Sequence, residues 1–260
     1  MDRVNLISII TPVVAGRHHY LPQAYESLLA QTLPAGWEWE WIVQEDGDTG
    51  VLSALPDDRR IRAGAGRAGR AAMARTLGLA RARGVLTRTL DADDELTPGA
   101  LYRDITTLID NPDISWCVSP AVDLHPDGTE TSGPCDPPAG PLAPGTAAEG
   151  YRNNQLPVVG GTVTAYTELV RLLGGWPALP ASEDVALLLA LEAVSRGWMV
   201  GTTSLRYRKW PGQSTAEQTF RDTDEVEDRR ATLLTRIQAF RRAGWSWSPS
   251  LLAEPLTMPA

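Results

Sequence analysis

The sequence predicts an α/β protein with a mostly parallel central sheet, helices on both faces and a C-terminal helix. Three observations carry this expectation. Strand-like and helix-like segments alternate through the first half of the chain, the order of successive βαβ units. The opening apolar run is continuous rather than alternating, as in strands buried on both faces. Three polar clusters, Thr11-Pro12, Glu45-Asp46 and Asp91 to Asp94, each lie at the end of a strand-like segment. Open parallel sheets bind their ligands at that position.

Taken in order, Val4 to Val14 reads as the first strand and Leu21 to Thr32 as a helix. In the next strand Trp37, Trp39, Trp41 and Val43 alternate with Glu38, Glu40, Ile42 and Gln44. It runs into the polar turn Glu45-Asp46-Gly47-Asp48. An alanine- and arginine-rich helix covers about Ala68 to Arg83, with Gly84 as its stop. Val85 to Leu90 is a strand, and Thr97-Pro98 starts a helix to about Ile109. Beyond Ser115 the pattern gives a strand at Trp116 to Asp123, a turn at Pro126-Asp127-Gly128 and a long loop from Gly133 to Gly150. A helix follows from Ser182 to Gly197, a strand from Trp198 to Ser204 and a loop from Tyr207 to Thr215. The last helix, about Thr223 to Ala243, sets Leu233, Ile237 and Phe240 on one face.

Composition narrows the function. The chain has 260 residues with a net charge of −8, 43% hydrophobic and 22% charged residues. That excludes wholesale disorder and argues against a nucleic-acid partner bound through its phosphates. No apolar run approaches the roughly 20 residues that span a bilayer, and no signal peptide is evident. A soluble, cytoplasmic protein is expected. Cys117 and Cys135 are too few for a structural zinc site, and no disulfide between them is expected.

Two clusters have chemistry in reach. Asp91, Asp93 and Asp94 offer hard oxygen ligands suited to Mg²⁺ or Mn²⁺ beside phosphate oxygens; a solvated loop before a helix is the plainer alternative. Ser182-Glu183-Asp184 opens a helix, either as a simple cap or as a general base facing the cleft. The stretch Gly64 to Gly69 fits G-x-G-x-x-G, but the charged residues Asp57 to Arg62 before it make a poor buried strand, against a dinucleotide site. His18, His19 and His125 read as surface residues. Trp176 and Trp210 sit in polar loops, where exposed aromatics could stack on a sugar ring.

Together these segments resemble a family 2 glycosyltransferase of the GT-A fold, in that family's order over about residues 4–215. ISIITPVV resembles its opening strand and Thr-Pro turn, and YLPQAYESLLAQT its first helix. Glu45-Asp46-Gly47-Asp48 resembles its acidic uracil-binding turn. GRAAMARTLG resembles its G-x-x-x-A-R-N-x-G helix, with Thr76 in place of asparagine, and LDADDELTPGAL its D-x-D segment. Gly174-Gly175-Trp176 and Ser182-Glu183-Asp184 resemble its later elements.

The resemblance implies one domain over residues 1–260: a nucleotide-sugar-binding half (1–115), an acceptor half (116–215) and a C-terminal helical segment (216–260). It implies that Thr11, Pro12, Val13, Asp46, Arg75, Asp91 and Ala92 hold the nucleotide. Asp93, with Asp91, would bind Mn²⁺ or Mg²⁺. Asp184 would be the catalytic base with Glu183 beside it, in an inverting single displacement from a UDP- or dTDP-linked donor. Trp176, Lys209 and Trp210 would line an acceptor site or lid, the loop through Gln213-Ser214-Thr215 closing over the donor. One departure stands out: the family's Y-R-x-H-P-G pattern is Tyr207-Arg208-Lys209-Trp210-Pro211-Gly212 here, so the metal would lose a histidine, or Lys209 or Arg208 would neutralise the diphosphate. The acceptor could be a small molecule, a lipid-linked group or a peptide, and the sequence leaves the oligomeric state open. A nucleotidyltransferase making nucleotide sugars and a non-catalytic nucleotide-sugar binder are the alternatives.

Overall fold

The computed structural model describes residues 5–133, 136–213 and 222–252. Its first half alternates as expected: β1 (Asn5–Val13), α1 (Leu21–Leu29), β2 (Trp37–Glu45), β3 (Ile61–Gly64), α2 (Arg70–Leu79) and β4 (Leu86–Thr89). The four strands run parallel in the order β3-β2-β1-β4. Ile7, Ile9 and Ile10 are all buried, which explains the unbroken apolar run of β1. Burial of each such side chain contributes about 1.5–3 kcal/mol. Glu40 is buried too, against the alternation expected of β2. Its carboxylate accepts bonds from the Ser8 hydroxyl (2.7 Å) and from the backbone N–H of Arg83 (2.7 Å), and it pairs with Arg62.

The register gathers the strand ends. Val13 of β1 lies opposite Glu45 of β2, and Ile10 opposite Thr89 of β4. The Asp46 N–H donates to the Val13 carbonyl (2.7 Å), and the Leu90 N–H to the Ile10 carbonyl (3.1 Å). The polar residues that follow β1, β2 and β4 therefore meet at one edge. β3 is a strand the charged sequence concealed. It is an edge strand, half exposed, so Arg60 and Arg62 keep their heads outside the core.

Beyond Asp94 come β5 (Glu95–Leu96), α3 (Ala100–Asp110), β6 (Trp116–Val118), β7 (Ala121–Leu124) and β8 (Glu130–Ser132). The single strand expected over Trp116 to Asp123 is broken at Ser119-Pro120. β6 joins the large sheet, and β7 joins a second sheet of order β5-β12-β7-β8, where β12 is Leu205–Arg208. Proline lacks the N–H that a continuous ladder requires. The expected loop from Gly133 to Gly150 holds β9 (Gly140–Pro141) and the start of α4 (Thr146–Arg152). Glu192 secures α4 by accepting from the N–H groups of Ala147 (2.6 Å) and Ala148 (2.9 Å).

β10 (Thr164–Tyr166) and α5 (Thr167–Leu172) precede α6 (Glu183–Val194) and β11 (Gly197–Met199). β10, β6, β11 and β9 extend the sheet beyond β4, with β10 antiparallel to both its neighbours. α6 is buried nearly all round from Ala186 to Leu191. α7 (Thr223–Ala243) matches the expected last helix, with Asp222 capping the N–H groups of Asp224 and Glu225 and Gly244 ending it in the left-handed region. β12 replaces the start of the loop expected at Tyr207. Among the described residues no helix is long and apolar enough to cross a membrane. Cys117 is buried and free; Cys135 lies outside the described residues, as do Ser214 and Thr215.

Candidate active site

The strand ends open into a cleft of about 430 Å³, a volume that suits a small ligand. Pro12, Val13, Asp46, Arg75, Asp91, Ala92 and Asp93 line it from the first half, and Glu183 and Asp184 from the second. Asp46 and Asp93, expected at opposite ends of one nucleotide, thus share one pocket. Sequence reasoning did not single out Arg17 or Arg70, which also line it. Arg70 carries a weak signal in the chain, since it follows the glycines that open α2.

The acidic turn after β2 is held from both sides. Glu45 accepts from the Thr49 N–H (2.5 Å) and hydroxyl (2.7 Å). One Asp46 oxygen accepts the Gly69 N–H (2.6 Å), and Gly47 and Gly66 exchange backbone hydrogen bonds at 3.0 Å. The glycine run therefore spends these N–H groups on the acidic turn rather than offering them to a pyrophosphate, although β3 does precede it.

Four expected site residues, Thr11, Trp176, Lys209 and Trp210, do not line the cleft. The Thr11 side chain is fully buried and accepts the Trp41 indole N–H (2.8 Å), because β1 turns that side chain into the sheet. Trp176 is 4% exposed and belongs to the core. Gly174 and Gly175 adopt positive φ (82° and 72°), and the Thr76 hydroxyl bonds both the N–H (3.1 Å) and the carbonyl (3.0 Å) of Trp176. Thr76, at the asparagine position of the resembled helix, thereby fixes that turn. Lys209 pairs with Asp123 (3.1 Å) and covers the ring of Tyr207, which lines the cleft, without lining it itself.

Arg75 does not wait with an open guanidinium. It is 3% exposed and bonds Asp91 with one terminal nitrogen and Glu183 with the other. Burial alone would lower its pKa, but the charges of Asp91, Glu183 and Asp184 outweigh that and raise it. It is the bridge between the two halves of the cleft.

Asp184 sits in the first turn of α6, after Ser182 in the left-handed region (φ 62°). A Cβ on Gly160 would come within 2.6 Å of the Asp184 carboxylate, so only glycine leaves it that room. Burial, then the neighbouring Glu183 charge, pushes its pKa up to about 6, against the pull of Arg75. A carboxylate so tuned can take a proton near neutral pH.

Asp91, Asp93 and Asp94 play different parts. Asp94 is 3% exposed and accepts the Arg208 N–H (2.9 Å), tying the acidic segment to β12. Burial and the charges of Asp91 and Asp93 push its pKa well up. Asp93 gives one oxygen to the Trp210 indole N–H (2.8 Å); burial and then Asp91 raise its pKa. Among the described residues no cluster of three or more His, Cys, Asp or Glu side chains could hold a metal ion by itself. Asp91 and Asp93 nevertheless keep one oxygen each clear of the bonds to Arg75 and Trp210. That donor set fits a hard cation completing its shell with phosphate oxygens and water, not a protein cage.

Comparison with known proteins gives a consistent picture. The model of glycosyl transferase family 2 matches residues 8–166. No curated protein matches the chain in sequence. Residues 1–349 of S. aureus TarS superpose with a TM-score of 0.65 at 15% identity, over 90% of this chain and 69% of that one. The same TarS fragment in complex with UDP-GlcNAc gives a TM-score of 0.68 at 16% identity, over 90% and 70%. Against the longer TarS structure the match covers 92% of this chain and 44% of that one, with a TM-score of 0.63 at 16% identity.

Proposed function

The chain belongs to glycosyl transferase family 2, and on that basis we propose that it moves a sugar from a nucleotide-diphospho-sugar to an acceptor with inversion. The observation that carries the reading is that Asp46, Asp93 and Asp184 border one cleft. A UDP- or dTDP-linked donor is favoured, because a carboxylate at Asp46 accepts the N–H of a uracil or thymine ring. TarS, of the same fold, is known in complex with UDP-GlcNAc, which supports a UDP-sugar.

In this reading residues 1–115 form the donor half and 116–215 the acceptor half. Pro12 and Val13 pack beside the base, and Asp91 and Ala92 border the ribose. Asp184 takes the acceptor proton as the acceptor oxygen bonds to the anomeric carbon and the bond from that carbon to the diphosphate breaks. Glu183 and Arg75 keep Asp184 oriented and separate from Asp91. Arg17 and Arg70 meet the negative charge that grows on the leaving diphosphate. Mn²⁺ or Mg²⁺ held by Asp93 and Asp91 would supply further electrostatic stabilisation there.

Release of UDP from a UDP-sugar donor in the presence of Mn²⁺ tests the proposal, with Asp184→Asn as the comparison. A catalyst gives release that the substitution removes while UDP still binds. A non-catalytic binder gives binding without release in either protein, and a nucleotidyltransferase, given added pyrophosphate, converts the UDP-sugar to UTP and sugar 1-phosphate instead.

A further inference from the structure

Trp210 stands where the resembled pattern carries histidine, and its surroundings give it a defined task. Its indole N–H donates to Asp93 Oδ2 at 2.8 Å. The ring packs on Tyr20, with centroids 5.5 Å apart, and the Arg17 guanidinium lies 5.7 Å from its centroid. Arg17 also donates to the Gly212 carbonyl (2.9 Å), and Gln213 donates to the Arg208 carbonyl (2.5 Å). Arg208 in turn donates to the Asp93 carbonyl (2.8 Å). The indole is thus held against one particular carboxylate oxygen from several directions. The ring lies over Gly212, where an added Cβ would fall 2.0 Å from it.

An indole N–H is a donor only and cannot ligate a cation. It occupies one oxygen, Oδ2, of a carboxylate that lines the cleft. A carboxylate restrained in this way binds a cation through one oxygen, which suits the octahedral shell of Mg²⁺ or Mn²⁺. Ca²⁺ takes six to eight oxygens and gains from carboxylates that grip with both.

We propose that Trp210 is a positioning residue that makes Asp93 a one-oxygen ligand and so selects small octahedral cations over Ca²⁺. The inference rests on the reading of Asp93 as a cation ligand. Two substitutions release the oxygen by independent routes. Trp210→Phe keeps an aromatic ring in the packing and deletes the N–H, and Gly212→Ala sets a Cβ 2.0 Å from the ring, so that the intact indole must shift from its place beside Asp93.

The test is calorimetric titration of Mn²⁺ and of Ca²⁺ into wild type and both variants, each saturated with UDP, with melting temperatures recorded alongside. The expected result is a rise of about tenfold in the affinity for Ca²⁺ relative to Mn²⁺ in both variants, in line with loss of a hydrogen bond to a charged group. A ratio unchanged in the variants, with Mn²⁺ bound by the wild type, overturns the role of Trp210 alone. Absence of Mn²⁺ binding to the UDP-saturated wild type overturns the cation reading of Asp93 and this inference with it.

Discussion

Arg75 of α2 and Glu183 of α6 form a buried ion pair between positions 108 residues apart in the chain. The same guanidinium also bonds Asp91, so one side chain joins the end of β4 to the start of α6. Truncating it would leave two carboxylates facing each other without their cation. Arg75→Ala is expected to lose about 3–5 kcal/mol in denaturant unfolding, the cost of breaking a buried pair from one side. Arg75→Lys is expected to recover only part of that, since an ammonium lacks the two-pronged geometry. A loss below about 1 kcal/mol for Arg75→Ala would contradict the bridging role.

Asp184 sets a pH dependence with a definite sign. Its carboxyl must be ionised to accept a proton, so transfer rises with pH through about 6 and levels off above it. Stability runs the other way. The folded pKa lies above the ordinary 3.8, so the native state holds this proton more tightly. The resulting stabilisation is full below about 3.8 and is lost as pH rises through about 6. Asp184→Asn is expected to lower transfer by a factor on the order of 10²–10⁴. It should also melt higher than wild type at pH 8, with a smaller difference at pH 4.

Gly160 separates placement of Asp184 from donor binding. Its added methyl group would meet the Asp184 carboxylate at 2.6 Å. Gly160→Ala is expected to reduce kcat by about tenfold or more while the donor KM stays near wild type, because the nucleotide contacts are untouched. Steady-state kinetics with a UDP-sugar read this directly. A raised donor KM with unchanged kcat would refute it.

Asp46 gives the complementary pattern. It anchors the Gly69 N–H with one oxygen and, in the proposed reading, takes the base N–H with the carboxylate. Asp46→Ala is expected to weaken UDP binding by about tenfold, the scale of a charge-assisted hydrogen bond. Calorimetry with UDP alone measures it, and an unchanged affinity would remove Asp46 from the nucleotide site.

Much of the donor half was legible in the chain because local pattern and tertiary role agree there. β1 is apolar throughout since both its faces are covered, and the acidic turn after β2 follows its strand directly. The legible part ends where function of a residue depends on a distant partner. Arg75 reads as a free phosphate ligand until Glu183 and Asp91 are seen to hold it. Thr11 follows the strand pattern but turns toward Trp41, and Trp176 lies in a loop sequence whose glycines fold it into the core. β5, β7, β8 and β12 are two to four residues long, too short for periodicity to mark them. They take their strand form from pairing with one another, a non-local cause.

The central claim is that one nucleotide spans Asp46 and the Asp91–Asp93 segment within a single cleft. A crystal structure of the protein with UDP and Mn²⁺ tests it most directly. The account predicts the uracil ring against Asp46 and the diphosphate beside Asp93. Electron density for UDP with its base away from Asp46, or with its diphosphate outside the cleft, would contradict it.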